Sequence, residues 1–273
     1  MNIKIYGSRG SIPFCSGTGS KYGGNTSCIK TYAGGHTIIL DCGSGLMQFM
    51  KEIKQSGIPM RFDILISHLH IDHIIGLSMF SPLWDKKSDI RIFTKSRDGR
   101  PLAQQVLGMF KPPYWPVDLT QMNCAEIIEI KNDVPFKLNR HIKVTPFAAN
   151  HPDDTTAFRI DDGESNKSVV HMLDHGTEDD PAEYGKTVCL CKNADAIIYD
   201  GAYSPEDQEK RKTYGHSSYA DGIALAEETG CGRMIFCHMD QKYSDDELDG
   251  FFGIIRSESE KYLIAYDGME VFL

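Results

Sequence analysis

Apolar and polar positions alternate along short β-branched runs at 2–6 (NIKIY), 28–32 (CIKTY), 37–41 (TIILD) and 62–66 (FDILI). A repeat of two is the signature of extended chain with one face buried. The same reading places strands at 90–94, 124–130, 142–147, 155–160, 168–173, 195–199, 233–237 and 262–272. Helical spacing occupies 44–55, the region around 73–83, the region near 101–110, and the segments 217–229 and 244–260. The last opens on SDDEL, with acidic residues where a helix N-terminus favours them. Strands interleaved with helices predict an α/β fold, and the turn DGM (267–269) reads as a hairpin, which makes the sheets mixed. Each half carries a strand that ends in aspartate before a glycine turn, ILDCGSG (39–45) and HMLDHG (171–176), as in two sheets on one plan. No composition shift or linker interrupts the chain, so residues 1–273 are expected to form one domain.

Composition narrows the class. Of 273 residues, 41% are hydrophobic and 25% charged, as in an ordinary soluble protein. No apolar run reaches the roughly 18 residues of a membrane span, and MNIKIYGSRG lacks the layout of a signal peptide. No membrane association is expected, and the cytoplasm is the expected location. The eight cysteines form no CxxC pair and sit in or beside apolar runs, which fits reduced, buried thiols. The net charge of −9 disfavours a long nucleic-acid partner, which calls for a basic stripe, but allows a small phosphorylated substrate.

The chemistry concentrates in SHLHIDHIIG (67–76), directly after FDILI. Alternate residues of an extended strand end share one side, so His68 and His70 can meet on one cation. Asp72 continues that period, and His73 swings out as a helix begins. Imidazole nitrogen and carboxylate oxygen are good zinc ligands, normally about four in number. Further candidates stand where other elements stop: His151, Asp174 and His238. His175 competes with Asp174 and ranks below it, being farther from the strand end. His36, His141 and His171 have no partner pattern.

HLHIDH, the later His151, Asp174 and His238, and the ILDCGSG turn together resemble the metallo-β-lactamase family, over nearly the whole chain. The resemblance implies an αββα sandwich of two mixed sheets flanked by helices, with a site for two divalent cations at one edge. Zinc is the expected metal, with manganese the alternative. His68, His70 and His151 would hold one ion and Asp72, His73 and His238 the other. Asp174 would bridge them, and Asp41 would order the loops beneath. The stretch 197–241 is similar to ribonuclease Z and its small relatives, in which an acidic residue and a later histidine precede the last metal histidine. Asp200 and His216 stand at those positions. His216 is then the expected proton donor, oriented by Asp200, and Asp72 an acceptor for a proton from water. The serines after His216 also suit a helix cap, which is compatible with that role.

The long basic arm of ribonuclease Z has no counterpart here. GSRGSIP (7–13), KYGGNTSC (21–28) and PPYWPV (112–117) instead look like small phosphodiesterases of this branch, namely phosphoribosyl cyclic phosphodiesterase and the phage anti-Pycsar cyclic-nucleotide hydrolases. The expected substrate is a small cyclic phosphate, foremost a cyclic mononucleotide, and a homodimer is expected from the resemblance. Tyr114 and Trp115 are candidates to stack on a base, and Arg9, Lys21 and Asn25 to contact phosphate. The competing activities are RNA processing and carbon-ester or lactam hydrolysis on the same fold. EKRK (209–212) reads as a solvated helix face.

Overall fold

A computed structural model describes residues 1–15, 20–56, 61–122 and 125–273. The first sheet is built from β1 (Asn2–Gly7), β2 (Cys28–Ala33), β3 (His36–Leu40), β4 (Arg61–Leu65), β5 (Asp89–Lys95) and β6 (Ala125–Ile130). The second contains β7 (Phe136–Lys137), β8 (Ile142–Ala148), β9 (Thr156–Asp162), β10 (Lys167–Met172), β11 (Ala196–Asp200), β12 (Met234–Cys237) and β13 (Tyr262–Ile264). The final strand, β14 (Glu270–Phe272), returns to pair with β1 in the first sheet. Cys124, the expected start of β6, lies outside the described residues.

Both sheets follow one plan. The strand orders are β14-β1-β2-β3-β4-β5-β6 and β13-β12-β11-β10-β9-β8-β7. In the first, β1, β2 and β3 pair antiparallel, and β3 to β6 are parallel. In the second, β8, β9 and β10 pair antiparallel, and β10 to β13 are parallel. The two Asp-before-glycine strands, β3 and β10, therefore hold the same place in the two sheets: each begins its parallel block.

Alternation decides which face each side chain serves. Ile38 and Leu40 of β3, Ile198 of β11 and Ile235 of β12 fill the layer between the sheets. Their neighbours Ile39, Ile197 and Phe236 point outward beneath helices. On the first sheet that cover includes α1 (Leu46–Ser56) and α3 (Leu102–Leu107), contributing Phe49, Ile53 and Val106. On the second, α4 (Pro181–Cys191), α6 (Tyr219–Thr229) and α7 (Asp245–Glu258) contribute Cys191, Leu225 and Phe252. The result is the αββα sandwich.

Three elements differ from the sequence pattern. The stretch 262–272 is not one strand with a hairpin: β13 extends the second sheet, parallel to β12, and the Asp267-Gly268 turn carries the chain across to the first sheet. α4 was not anticipated, because Gly185 interrupts its apolar spacing, although its Asp180 cap and Pro181 start are standard signals. The short α5 (Pro205–Lys210) likewise presents mostly exposed polar residues and takes in only Glu209 and Lys210 of the EKRK run. α6 and α7 both begin in capping boxes, Ser218 with Asp221 and Ser244 with Glu247. Among the described residues no helix is long and apolar enough to cross a membrane.

Candidate metal centre

β1, β3, β4, β8, β10, β11 and β12 all finish at the same edge of the sandwich, so the residues just past their ends meet there. Asp41, Asp174 and His238 leave their strands in the left-handed region, with φ of 59°, 50° and 63°. Aspartate and histidine are among the few residues with a side chain found there. The sharp turn peels the main chain off the sheet and leaves each side chain facing the common edge.

His68, His70, His151 and Asp174 offer ligand atoms within 4.8 Å of one another, and so do Asp72, His73 and His238. Asp174 Oδ1 stands 3.1 Å from His73 Nε2 and 3.0 Å from His238 Nε2, and its Oδ2 is 3.4 Å from His68 Nε2. It thus faces both groups. Asp72 reaches this arrangement differently from the extended spacing: α2 (Ile71–Ile74) starts one residue before it, so Asp72 and His73 belong to one helical turn. Both still converge on His238, with Asp72 Oδ2 3.3 Å from His73 Nε2 and 3.2 Å from His238 Nε2.

Outer partners orient these rings. His73 Nδ1 is 2.8 Å from Asp41, whose carboxylate also accepts from the Ser67 amide at 2.8 Å and the Ser67 hydroxyl at 2.9 Å. His151 Nδ1 donates to the Gly215 carbonyl at 3.0 Å, and His70 Nε2 meets Asp153 at 2.7 Å. His68 Nδ1 is 3.1 Å from the Ser67 hydroxyl. Fixing one ring nitrogen leaves the other as a directed donor, the usual arrangement around a bound cation.

The residues fit metal ions. His68 Nε2 and His151 Nε2 are buried without a hydrogen-bond partner among the described residues. Four carboxylates, Asp41, Asp72, Asp174 and Asp200, are buried here, and among the described residues their ion-pair partners are histidines only. Buried anions in such number need compensating positive charge. Burial, aided by the neighbouring His73, pushes His68 well below the usual imidazole range, toward the neutral ligating form.

His216 lies beside this cluster, its ring stacked on His238 at 5.2 Å and edge-on to His151 at 5.3 Å. Its Nδ1 is 2.8 Å from Asp200 Oδ2. Burial opposes a charged ring, but the charge of Asp200 and this hydrogen bond outweigh it and push His216 up to about 9. Asp200 is anchored in turn by the amides of Ala202 at 2.9 Å and His175 at 3.1 Å. The adjoining Ser218 caps α6.

The two candidate phosphate contacts, Arg9 and Asn25, have internal partners. Arg9 is only 3% exposed and donates to the carbonyls of Gly23, Asp240 and Tyr243. It braces the Gly23 loop and the segment before α7, with Asp245 of α7 3.6 Å from the guanidinium. Asn25 donates its amide to Asp267 at 2.9 Å and accepts from Ser44 at 3.3 Å, so it too is structural. Lys21 pairs with Asp249 on α7. Tyr114 is 84% exposed and Trp115 packs edge-on against Phe110 at 6.4 Å. Among the described residues no hydrogen bond, ion pair or ring contact links either to the histidine cluster.

Other contributors were hidden from the sequence. The Ser11 amide donates to Asp72 Oδ2 at 2.8 Å, and the Gly215 carbonyl holds His151. Main-chain groups carry no residue-type signal. Asp267 gathers the amides of Ser8, Gly24 and Asn25 at 3.0, 3.1 and 3.0 Å, clamping both glycine loops from the far end of the chain. His171 is buried below the centre, its Nε2 3.8 Å from Asp41.

The family described as the beta-lactamase superfamily domain matches residues 36–239. That is most of the chain, and the chain belongs to this superfamily. It is a metallo-β-lactamase-fold hydrolase, and its relatives are consistent with the ribonuclease Z-like branch. Ribonuclease Z of Bradyrhizobium sp. (strain ORS 278) is 24% identical over 267 residues, covering 81% of this chain and 85% of that protein. A diphosphatase from the PhnP family superposes with a TM-score of 0.72 at 16% identity, over 100% of this chain and 97% of its own. Zn(2+)-bound PqqB from Methylobacterium extorquens superposes with a TM-score of 0.75 at 15% identity, over 100% of both chains.

Proposed function

We propose that this hydrolase cleaves a small cyclic phosphodiester, foremost a cyclic mononucleotide, with two divalent cations. His68, His70, His151 and Asp174 would hold one, and Asp72, His73, His238 and Asp174 the other. Zinc suits this imidazole-rich set, although manganese accepts the same donors. Bound there, the pair supplies Lewis acidity that makes a water nucleophilic and offsets charge on the phosphate oxygens.

The observation that carries the reading is the Asp200–His216 pair at 2.8 Å, set against the ligand cluster but oriented by its own carboxylate. Ester hydrolysis at phosphorus expels an alkoxide, which needs a proton. Asp200 keeps a proton on His216 Nδ1, so Nε2–H is free to donate to the departing oxygen as the P–O bond breaks. Water oxygen replaces it on phosphorus, and Asp72 receives the water proton while the Ser11 amide holds that carboxylate in place. The net charge of −9 supports a compact substrate over long RNA.

Purified protein should be loaded with zinc or manganese and offered 3′,5′- and 2′,3′-cyclic nucleotides, a ribose cyclic phosphate and a precursor transfer RNA. Turnover of a cyclic mononucleotide that disappears in His216→Ala supports the reading. Cleavage of the RNA alone favours the second reading, an RNA-processing nuclease, which the ribonuclease Z relatives support. Silence with two metals bound moves the test to carbon esters. The family resemblance suggests a homodimer, and Met79, Trp84, Met109 and Tyr114 are large apolar side chains left exposed for such a contact. A monomeric mass at micromolar concentration overturns it.

A further inference from the structure

His175 follows Asp174 and is buried, yet its imidazole is turned away from the cluster and bound to main chain. The Asn150 amide points at His175 Nδ1 at 3.1 Å. A main-chain N–H can only donate, so Nδ1 is the unprotonated nitrogen and the ring proton sits on Nε2. The next residue reinforces the contact: the Gly176 amide donates to the Asn150 carbonyl at 2.8 Å. These bonds fix the residue immediately before His151.

The main chain of His175 serves the other half of the site. Its amide donates to Asp200 Oδ2 at 3.1 Å, the same oxygen that holds His216. Its carbonyl accepts from the Ser217 hydroxyl at 2.5 Å, and Ser217 accepts from Tyr199 at 2.9 Å. The ring packs edge-on against that Tyr199 at 6.1 Å. His175 thus touches the neighbours of a metal-cluster histidine and of the proton donor at once, and touches neither directly.

We propose that His175 is a positioning residue that registers the loop bearing His151 against the Asp200–His216 pair. Its imidazole supplies the acceptor for Asn150 and the wedge against Tyr199. The inference builds on the metal-dependent reading above, but its central readouts need no substrate.

Three variants separate an acceptor at this position from bulk alone. In His175→Asn the amide oxygen stands where Nδ1 stood, whereas His175→Gln carries its oxygen one bond farther out. His175→Ala has neither. Metal per chain is followed during dialysis against a chelator, alongside the low-field Nδ1–H proton resonance of His216, assigned with His216→Ala. Removing an outer partner of a metal ligand typically weakens retention by about 10–100-fold. His175 stands one contact beyond such a partner, so His175→Ala and His175→Gln should lose metal about two- to tenfold faster and shift or broaden the His216 resonance, while His175→Asn restores both. Wild-type retention in His175→Ala overturns the proposal, and so does a failure of His175→Asn to outperform His175→Gln. If the alanine protein does not fold, the Asn and Gln pair still decides. Loss of activity on every phosphodiester with these readouts as expected would count against the substrate reading alone.

Discussion

Gly10 lies so close to His238 that a Cβ built on it would stand 2.4 Å from the ring Cε1 and 2.6 Å from Nδ1. The loop after β1 therefore forms one wall of the metal centre. Because His238 is buried, its ring has no room to yield. Gly10→Ala should displace it and weaken cation retention by roughly tenfold or more, as for a damaged outer partner. Metal content after graded chelator dialysis checks this, with Gly35→Ala as a surface control. Nothing lies within 4 Å of a Cβ there, although its φ of +71° carries its own strain.

If His216 is the proposed proton donor and not a ligand, His216→Ala should keep the wild-type metal content and lose turnover by about 10²–10⁴-fold on a substrate whose leaving group is an alkoxide. On a 4-nitrophenyl ester the loss should be far smaller, because nitrophenolate departs without a proton. Comparing kcat for the two leaving groups distinguishes a missing proton donor from a distorted site. Equal losses would contradict the role.

Arg9 offers a prediction of the opposite kind. Truncation to alanine strands three carbonyls that its guanidinium now satisfies. The expected cost is on the order of 2–4 kcal/mol in stability. Denaturant titration should record that loss. A rise in KM with unchanged stability would instead return Arg9 to the substrate.

Glu52 governs acid stability away from the metal centre. It binds Lys4 at 2.8 Å, accepts from Tyr6 at 2.7 Å, and pairs with Lys30. Burial alone would raise its carboxyl, but the Lys30, Lys4 and Tyr6 hydrogen bonds prevail and hold it at about 2. A pKa depressed by folding contributes stability that is fully present above the unfolded value of about 4.3 and lost as pH falls toward 2. Glu52→Gln should therefore be less stable than wild type at pH 7, with the difference shrinking as pH falls below about 4. Metal-free proteins compared by urea denaturation isolate this contribution.

Much of the centre was legible before folding, for a physical reason: metal ligands must be particular residue types. HLHIDH stood out because so dense a run of imidazole and carboxylate is hard to explain by capping alone, and His151, Asp174 and His238 followed at the ends of other elements. The Asp200–His216 pair was legible through resemblance, and geometry then brought its atoms to 2.8 Å. Alternation marked strands such as β8, which bury every second residue, whereas β11 and β12 are covered on both faces and were legible as short β-branched apolar runs.

Tertiary structure alone decided the remainder. Whether a basic residue in a glycine loop faces solvent or buries itself under carbonyls depends on what folds over it, and α7 and the segment before it fold over Arg9. The 262–272 stretch has the local chemistry of a hairpin, yet each half finds a better partner in a different sheet. Asp72 receives a main-chain amide from Ser11, and His151 is held by a main-chain carbonyl from Gly215. Every residue carries those groups, so only the packed chain selects which of them act. Sequence by itself determined which residue types could form the site, and the family resemblance implied the edge. The fold determined how its rings are aimed, because aim comes from long-range contacts that no local spacing encodes.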